Sequence, residues 1–169
     1  MSLKGNLLHL GFGGHELPVW AQGVNETTLD INPNLNPDIV ASMTDMGDIG
    51  KFDIVYSCHC LEHVYHHEAK QALREMYRVL EDGGTAIVIV PDLTGILPNH
   101  DVLYKSPAGP ICGLDLIYGS SWMTEKNPFM GHKYGYTPEF LQFEFNEAGF
   151  KSTTSTKLHD HSVMVTGEK

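Results

Sequence analysis

The stretch FDIVYSCHCLEHVYHHEAKQALREMYRVLEDGGTAIVIVP, residues 52–91, carries the pattern that decides the fold. It begins with an apolar run at residues 52–57 and ends with a second apolar run at residues 85–90, which Pro91 closes. Short apolar runs of this kind are typical of strands buried on both faces of a parallel sheet. The stretch therefore predicts two neighbouring strands.

Between these two strands the apolar residues change to a helical spacing. Recurrence at i, i+3, i+4 and i+7 predicts an amphipathic helix over residues 67–80. The glycine pair at residues 83–84 is expected to stop this helix. The apolar stripe consists of Ala69, Ala72, Leu73, Met76 and Leu80.

The same alternation of strands and helices continues on both sides. Upstream, short strands are predicted at residues 7–10, 27–31 and 38–41. Downstream, Thr137 and Pro138 predict a helix start with a hydroxyl N-cap and a proline at the first position. Two final strands are predicted near residues 151–156 and 162–166. Alternating strands and helices predict an α/β domain with a mostly parallel sheet.

Composition limits the class of protein. The chain has 169 residues, enough for a single domain over residues 1–169. Its formal net charge of −10 argues against binding to nucleic acid or to an anionic membrane. No apolar run is long enough for a membrane span, and the N-terminus lacks the apolar region of a signal peptide. Three cysteines do not form a disulfide framework, so we expect a cytoplasmic protein.

Two short motifs predict a site for a nucleoside-containing cofactor. Gly11 and Gly13 directly follow the first predicted strand, and Asp30 lies in the second. Glycines let the backbone approach a ligand closely, and a carboxylate at a strand end can accept hydrogen bonds from ribose hydroxyls. Glu16 stands where a dinucleotide motif needs its third glycine, and its charge would oppose a pyrophosphate. This disfavours a nicotinamide-dependent oxidoreductase and favours a cofactor without phosphates.

These motifs resemble those of class I S-adenosylmethionine-dependent methyltransferases, and in particular the small bacterial type-11-like members. Residues 52–91 are similar to the centre of that domain, through the LEHV segment at 61–64 and the glycine pair at 83–84. Residues 8–13 resemble its glycine motif, and residues 135–150 resemble its late helix. The resemblance implies a Rossmann-like, mostly parallel seven-stranded sheet with helices on both faces. Because the chain starts almost on its first strand, we expect this fold to be trimmed at the N-terminus.

The resemblance also implies S-adenosylmethionine as the cofactor and an O or N atom of a small molecule, including a sugar-like one, as the methyl acceptor. The transfer would be an in-line displacement at the sulfonium methyl. The resemblance implies that the amino-acid end of the cofactor would contact Gly11, Phe12 and Gly13. The ribose and adenine would contact Asp30, Ile31, Ser42 and Met43. The sulfonium side would contact Ser57, Cys58 and His59. The candidates for a general base are His59, His63 and His132.

Several positions depart from the family pattern. His9 stands where the family usually has an acidic residue, His15 where it often has a glycine, and Ser42 where it commonly has an acid that binds the adenine amino group. Asp45, three residues after Ser42, is a candidate to bind the adenine amino group in its place. These departures motivate an alternative function, a catalytically inactive methyltransferase-like binding or interaction module.

Residues 92–136 form a long insertion that is rich in glycine, proline and aromatic residues. Long insertions in compact domains are usually functional lids or disordered, and the aromatic content argues against disorder. We therefore expect a lid that sets acceptor specificity. The same segment is a candidate homodimer interface.

The cysteines and histidines after the strand at residues 52–57 suggest a metal site at first sight. Zinc would suit them, but Cys58 and Cys60 point to one side of a strand and His59 to the other, so they cannot meet one ion. A nucleophilic role for Cys58 or Cys112 would need a lowered thiol pKa and a paired base. The sequence therefore predicts no metal site. The cysteines and histidines that suggest a metal site are Cys58, His59, Cys60, His63, His66 and His67.

Overall fold

The computed structural model describes residues 4–107 and 109–169. Residues 1–3 belong to the N-terminal segment that was analysed for a signal peptide, and Ala108 belongs to the insertion at 92–136. Both lie outside the described residues. Within the described part of the chain, no helix combines the length and the apolar character needed to cross a membrane.

Nine strands are described, and seven of them form one sheet. In chain order they are β1 (Asn6–Leu10), β2 (Asn25–Asp30), β3 (Ile39–Val40), β4 (Phe52–Cys58), β5 (Leu80–Pro91), β6 (Val102–Ser106), β7 (Gly109–Cys112), β8 (Lys151–Lys157) and β9 (Ser162–Glu168). The sheet order is β3-β2-β1-β4-β5-β9-β8. The first five strands are parallel, and β9 is antiparallel to both β5 and β8. The predicted mostly parallel, seven-stranded α/β sheet is confirmed.

Four α-helices accompany the sheet. They are α1 (His66–Val79), α2 (Gly113–Tyr118), α3 (Ser121–Lys126) and α4 (Pro138–Glu147). Short 3₁₀ turns cover Val19–Ala21, Pro33–Leu35, Leu61–His63 and Pro128–Met130. At the start of α4, the Thr137 side chain accepts a hydrogen bond from the Phe140 amide, as its N-cap position predicts.

The two faces of the sheet are covered differently. On one face, α1 and α4 pack over Leu8, Val55 and Val88 in the larger core cluster. On the other face, Leu7, Ile54, Tyr56, Ile87 and Ile89 form a smaller cluster, which includes Ala21 from the turn Val19–Ala21. Strands β4 and β5 thus contribute buried residues to both faces, which explains their apolar runs. Pro18 directly precedes this turn, and a proline there keeps a longer helix from extending through this segment.

The glycine pair has a different role from the predicted one. Helix α1 ends at Val79, and β5 already begins at Leu80. Gly83 and Gly84 therefore lie inside the strand, where the pairing of β4 with β5 is irregular. Gly83 has a φ of +80°, and a Cβ on Gly84 would stand only 2.9 Å from the Glu81 carbonyl oxygen. The prediction that this pair stops the helix was wrong because local composition does not distinguish a helix end from an irregularity within a strand.

The insertion at 92–136 is folded over most of its length. It contains the antiparallel hairpin of β6 and β7, followed by α2, α3 and the turn Pro128–Met130. The Leu93 amide donates to the Tyr136 carbonyl over 2.9 Å, which joins the two ends of the insertion to each other. The Lys133 amide donates to the Glu62 carbonyl over 2.8 Å, which joins the insertion to the rest of the domain. The insertion is therefore attached to the turn that follows β4.

Substitution of Phe145 in α4 tests the larger core. Phe145 is fully buried, and its ring centroid lies 4.9 Å from that of Phe150. We expect Phe145→Ala to lower the free energy of unfolding by about 3–5 kcal/mol, because it removes buried apolar surface and leaves a cavity. Phe143, two residues away and 52% exposed, is the matched control, and Phe143→Ala should cost under about 1 kcal/mol. Urea unfolding checks both values, and equal losses would contradict this assignment of the core.

Candidate active site

The predicted cofactor residues come together at one edge of the sheet. Strands β3, β2, β1 and β4 are parallel neighbours, so their carboxyl ends meet at the same edge. Leu10 at the end of β1 pairs with Leu29 in β2 and with Ser57 in β4, which keeps these three strand ends level. Ligands of such sheets bind beyond the carboxyl ends of the strands, where the strand order reverses. Here the order reverses between β1 and β4.

The turn after β1 is tied to the end of β2. The backbone amides of Gly11 and Phe12 both donate hydrogen bonds to the Leu29 carbonyl. The Gly13 amide donates to Asp30 Oδ2 over 2.9 Å. Gly11 and Gly13 have φ values of +69° and +59°, a conformation that residues with side chains rarely adopt. Glycine is therefore required at these positions by the backbone itself.

The carboxylate of Asp30 is oriented before any ligand binds. Its Oδ1 accepts a hydrogen bond from the Asn32 amide over 2.8 Å, while Oδ2 is held by Gly13. Each carboxylate oxygen can accept more than one hydrogen bond, so both can still bind a hydroxyl. The next side chain, Ile31, is 71% exposed and offers an apolar surface beside the carboxylate.

The segment after β3 is held in place by α1. Glu75 Oε2 accepts a hydrogen bond from the Met46 amide over 2.9 Å. Arg78 bonds to the same carboxylate and also donates to the Gly47 carbonyl over 2.8 Å. Ser42 and Met43 lie just upstream in this segment, and the Ser42 hydroxyl is 2.8 Å from the Thr44 hydroxyl. The pair of Glu75 and Arg78 therefore positions the segment that carries both predicted adenine contacts.

The end of β4 combines buried polar groups with a strained backbone. The Ser57 hydroxyl is buried and has no hydrogen-bond partner among the described residues. His59 has a φ of +49°, and its amide donates to the Ile89 carbonyl over 2.9 Å. Burial raises the pKa of the Cys58 thiol and that of the Cys60 thiol, so both favour the unreactive protonated form. The structure thus adds no support for a nucleophilic role of Cys58.

One predicted cofactor residue faces the protein's own chain. A Cβ placed on Gly11 would lie 2.1 Å from Cys60 Sγ, so the sulfur packs directly against this glycine. Gly14 is more open, with Leu35 Cδ2 at 3.7 Å as the nearest atom. At Gly11, the Cys60 side chain from the segment after β4 therefore occupies the space that the absent Cβ leaves open.

A separate cavity of about 310 Å³ opens beside the same turn. Phe12, Gly14, Glu16 and Glu26 are among the residues that line it, whereas Asp30, Ser42 and Cys58 are not. Two carboxylates in the lining make it unsuitable for a phosphate. We do not assign this cavity to the cofactor, because it does not include the end of β2.

The three predicted general bases surround one buried glutamate. Glu62 is 1% exposed and lies in the turn Leu61–His63. His59 Nδ1 lies 3.3 Å from Glu62 Oε1, and the rings of His63 and His132 pack against each other with centroids 5.1 Å apart. Sequence analysis used Glu62 only as part of a family motif. The signal that could have singled it out is a glutamate three residues after His59 and directly before His63.

Electrostatics favour an ionised Glu62. Burial by itself would raise the pKa of Glu62, but the hydrogen bond from His59 and the nearby histidines outweigh burial and lower it. For His59, burial acts to lower the pKa, but the contact with Glu62 outweighs this and raises it. Burial lowers the pKa of His132, which favours its neutral form. The cluster therefore holds a buried negative charge at the end of β4.

The remaining histidines of this stretch lie elsewhere. His66 Nε2 is 3.1 Å from Glu144 Oε1, and its ring stacks on Tyr134 with centroids 4.4 Å apart. His67 is exposed and stacks on Tyr65. Neither belongs to the group around Glu62.

Comparison with known proteins agrees with this fold. Residues 8–88 match a family model described as a methyltransferase domain. No curated protein matches the chain. The solved structures it resembles include an S-adenosylmethionine-dependent methyltransferase from Clostridium acetobutylicum ATCC 824, with a TM-score of 0.69, 10% identity, and coverage of 96% of this chain and 83% of that one.

Two further matches are enzymes crystallised with ligands. Human N-acetylserotonin methyltransferase in complex with SAM has a TM-score of 0.65 at 14% identity, over 97% of this chain and 47% of that one. The N-methyltransferase NodS from Bradyrhizobium japonicum WM9, in complex with S-adenosyl-L-homocysteine, has a TM-score of 0.61 at 11% identity, over 98% and 78%. The chain spans about half the length of several structures it matches, between 47% and 56%.

Substitution of Glu75 tests how α1 positions the segment after β3. We expect Glu75→Gln to lower the free energy of unfolding by about 1 kcal/mol near neutral pH, because it weakens a partly exposed charged pair. The hydrogen bond from Arg78 lowers the pKa of Glu75. Its contribution is therefore complete above the pKa of an unfolded glutamate, about 4.3, and is lost as the pH falls through the lower folded pKa.

The measurement is urea unfolding of wild type and Glu75→Gln at about pH 7 and at about pH 3.5, which is below the pKa of an unfolded glutamate. The difference between them should shrink at the lower pH. Arg74→Ala, an exposed change on the same helix, is the control and should show little effect at either pH. A loss for Glu75→Gln that does not depend on pH would contradict this role.

Proposed function

We propose that this chain is a class I S-adenosylmethionine-dependent methyltransferase, which binds S-adenosylmethionine at the carboxyl ends of β1 to β4 and transfers its methyl group to an O or N atom of a small molecule. The observation that carries the proposal is the oriented carboxylate of Asp30, held by the Gly13 amide beside the turn after β1. A bound ligand with two vicinal hydroxyls matches that carboxylate.

The residues present fit this cofactor. Asp30 would accept hydrogen bonds from the ribose, and the exposed side chain of Ile31 would lie against the adenine. Ser42 and Met43 would flank the adenine from the segment that Glu75 holds. Gly11, Phe12 and Gly13 would contact the amino-acid end. Ser57, Cys58 and His59 would line the methionine and sulfonium side, where the unpartnered Ser57 hydroxyl provides a polar group.

The chemistry that the bound cofactor supplies is a methyl group on a positively charged sulfur. The chain itself must hold the acceptor atom in line with that methyl group and exclude water, which can account for much of the rate in such a transfer. A general base is needed only when the acceptor must lose a proton. His59, His63 and His132 remain the candidates, because all three lie around Glu62 at the end of β4.

The insertion at 92–136 is proposed to provide the acceptor side of the site. Its exposed apolar side chains include Tyr118, Trp122 and Phe129, with 62%, 40% and 76% of their surface exposed. Aromatic surfaces of this kind suit a small or sugar-like acceptor. The same residues could instead form a homodimer interface, which size-exclusion chromatography with light scattering would detect as a mass twice that of the chain.

One observation favours a second candidate function. Cys60 Sγ fills the space beside Gly11, where the amino-acid end of the cofactor is expected to lie. A catalytically inactive methyltransferase-like module would keep the fold and lose this contact. The two candidates differ in whether the folded protein binds S-adenosylhomocysteine and whether it turns over S-adenosylmethionine.

Calorimetric titration with S-adenosylhomocysteine tests cofactor binding. We expect Asp30→Asn to weaken binding about tenfold or more, because it removes charge-assisted hydrogen bonds worth roughly 1.5–3 kcal/mol each. Asp82→Asn is the matched control, since Asp82 is fully exposed near the start of β5, away from the carboxyl ends of the parallel strands. No binding by the folded wild type at high micromolar concentration would reject a working cofactor site.

Turnover separates the two candidates once binding is established. The assay follows S-adenosylhomocysteine released from S-adenosylmethionine in the presence of panels of small hydroxyl-containing and amine-containing acceptors. Release that depends on an acceptor supports the enzyme. Binding without release for any member of either panel supports the inactive module.

A further inference from the structure

We propose that Glu62, His63 and His132 form a binding site for a divalent transition-metal ion, with zinc as the best match to the ligand chemistry. Each residue offers one ligand atom, and the three atoms lie within 4.8 Å of one another. The sequence predicts no metal site, because the two cysteines and the histidines near them cannot meet one ion. The tertiary structure forms a different group, in which no cysteine takes part and which includes His132 from the distant insertion.

Both histidines are oriented as metal ligands usually are. His63 Nδ1 lies 3.4 Å from the Gly131 carbonyl oxygen, and His132 Nδ1 lies 2.9 Å from the Leu116 carbonyl oxygen. Metal-binding histidines almost always donate their second ring N–H to a carbonyl or a carboxylate, which fixes the tautomer and the ring orientation. With both Nδ1 atoms donating, the Nε2 lone pairs remain available to an ion. A bound ion would occupy those lone pairs and leave His59 as the candidate general base.

The carboxylate of Glu62 has one oxygen in use and one without a partner. Oε1 contacts His59, whereas Oε2 is buried and has no hydrogen-bond partner among the described residues. The Tyr136 hydroxyl, which lines the same narrow cavity as Glu62 and His132, is also buried and unpartnered. Unpaired buried polar atoms are costly and rare. Two such atoms in one place provide oxygen groups that a bound ion could pair.

The space beside these atoms is narrow. The cavity bounded by Glu62, His132 and Tyr136 does not admit a sphere the size of water. A bare divalent ion is smaller than water. Zinc binds nitrogen and oxygen at roughly 2.0–2.2 Å in a tetrahedral arrangement, so its ligand atoms stand about 3.3–3.6 Å apart. The three candidate atoms lie within 4.8 Å of one another, so binding an ion would draw them closer together by roughly 1 Å.

The donor set selects the kind of metal. Two imidazoles and one carboxylate suit zinc and related transition metals, whereas magnesium and calcium prefer oxygen ligands alone. Three protein ligands leave one coordination position open. Glu62 and His63 follow β4, and His132 belongs to the insertion at 92–136. An ion bound here would therefore connect that insertion to the end of β4.

Calorimetric titration with zinc chloride tests the site. The protein is used as the full chain without a polyhistidine tag, after treatment with a chelator. We expect one ion per chain, with His63→Ala and His132→Ala each weakening binding by at least the ~10–100-fold seen when an outer ligand partner is lost. Glu62→Gln keeps the shape of the side chain and should weaken binding similarly. Circular dichroism confirms that each variant is folded.

Two control variants remove histidines outside the group. His100→Ala and His67→Ala change exposed residues and should bind zinc as the wild type does. Cobalt(II) should give a spectrum without the intense near-ultraviolet bands of thiolate ligation, because no cysteine takes part. Zinc should also raise the melting temperature of the wild type and not that of His132→Ala.

The proposal is overturned if zinc does not bind, or if binding is unchanged in both His63→Ala and His132→Ala. Loss of binding in His67→Ala would instead place the ion at the start of α1 and would also overturn it. Titration of the chelator-treated wild type with S-adenosylhomocysteine keeps this result separate from the proposed function. Cofactor binding without zinc binding would reject the metal site alone, and zinc binding without cofactor binding would reject the cofactor site alone.

Discussion

The hydrogen bond from the Gly13 amide to the Asp30 carboxylate is the interaction on which the candidate cofactor site depends. It joins the turn after β1 to the end of β2, two segments that the ladder between these strands has already brought level. A bond to an ionised acceptor is stronger than one between neutral groups, and it leaves the carboxylate oriented before a ligand arrives. Without it, Leu29 would still hold the turn and the Asn32 amide would still hold Asp30, but no hydrogen bond would join the turn to the carboxylate.

The turn after β4 has a comparable role on the other side of β1. Glu62 is buried there with only one of its oxygens in a hydrogen bond, and the Lys133 and Tyr134 amides both donate to its backbone carbonyl. The insertion is therefore attached to the residue that carries the buried charge. Any group that binds the Glu62 carboxylate therefore lies next to the point where the insertion is attached.

Much of the fold could be predicted from the sequence, because it rests on periodicity. The stripe from Ala69 to Met76 and the apolar run of β5 are local patterns that persist whatever packs against them. The role of Gly83 and Gly84 could not be predicted, because a glycine pair has the same composition at a helix end and in a strand irregularity. On the second face, Pro18 restricts helix formation before the turn Val19–Ala21.

By itself, the sequence determined which segments form the seven strands of the main sheet and where glycines follow β1. It also determined that Asp30 and the turn at residues 11–13 lie at strand ends. Such features depend on the residue and its immediate neighbours. Only the tertiary structure decided that Cys60 packs against Gly11 and that His132 lies with His63 and Glu62. Those contacts join residues that are up to 70 positions apart in the chain. They depend on how the insertion packs against the sheet edge, and no local pattern encodes that packing.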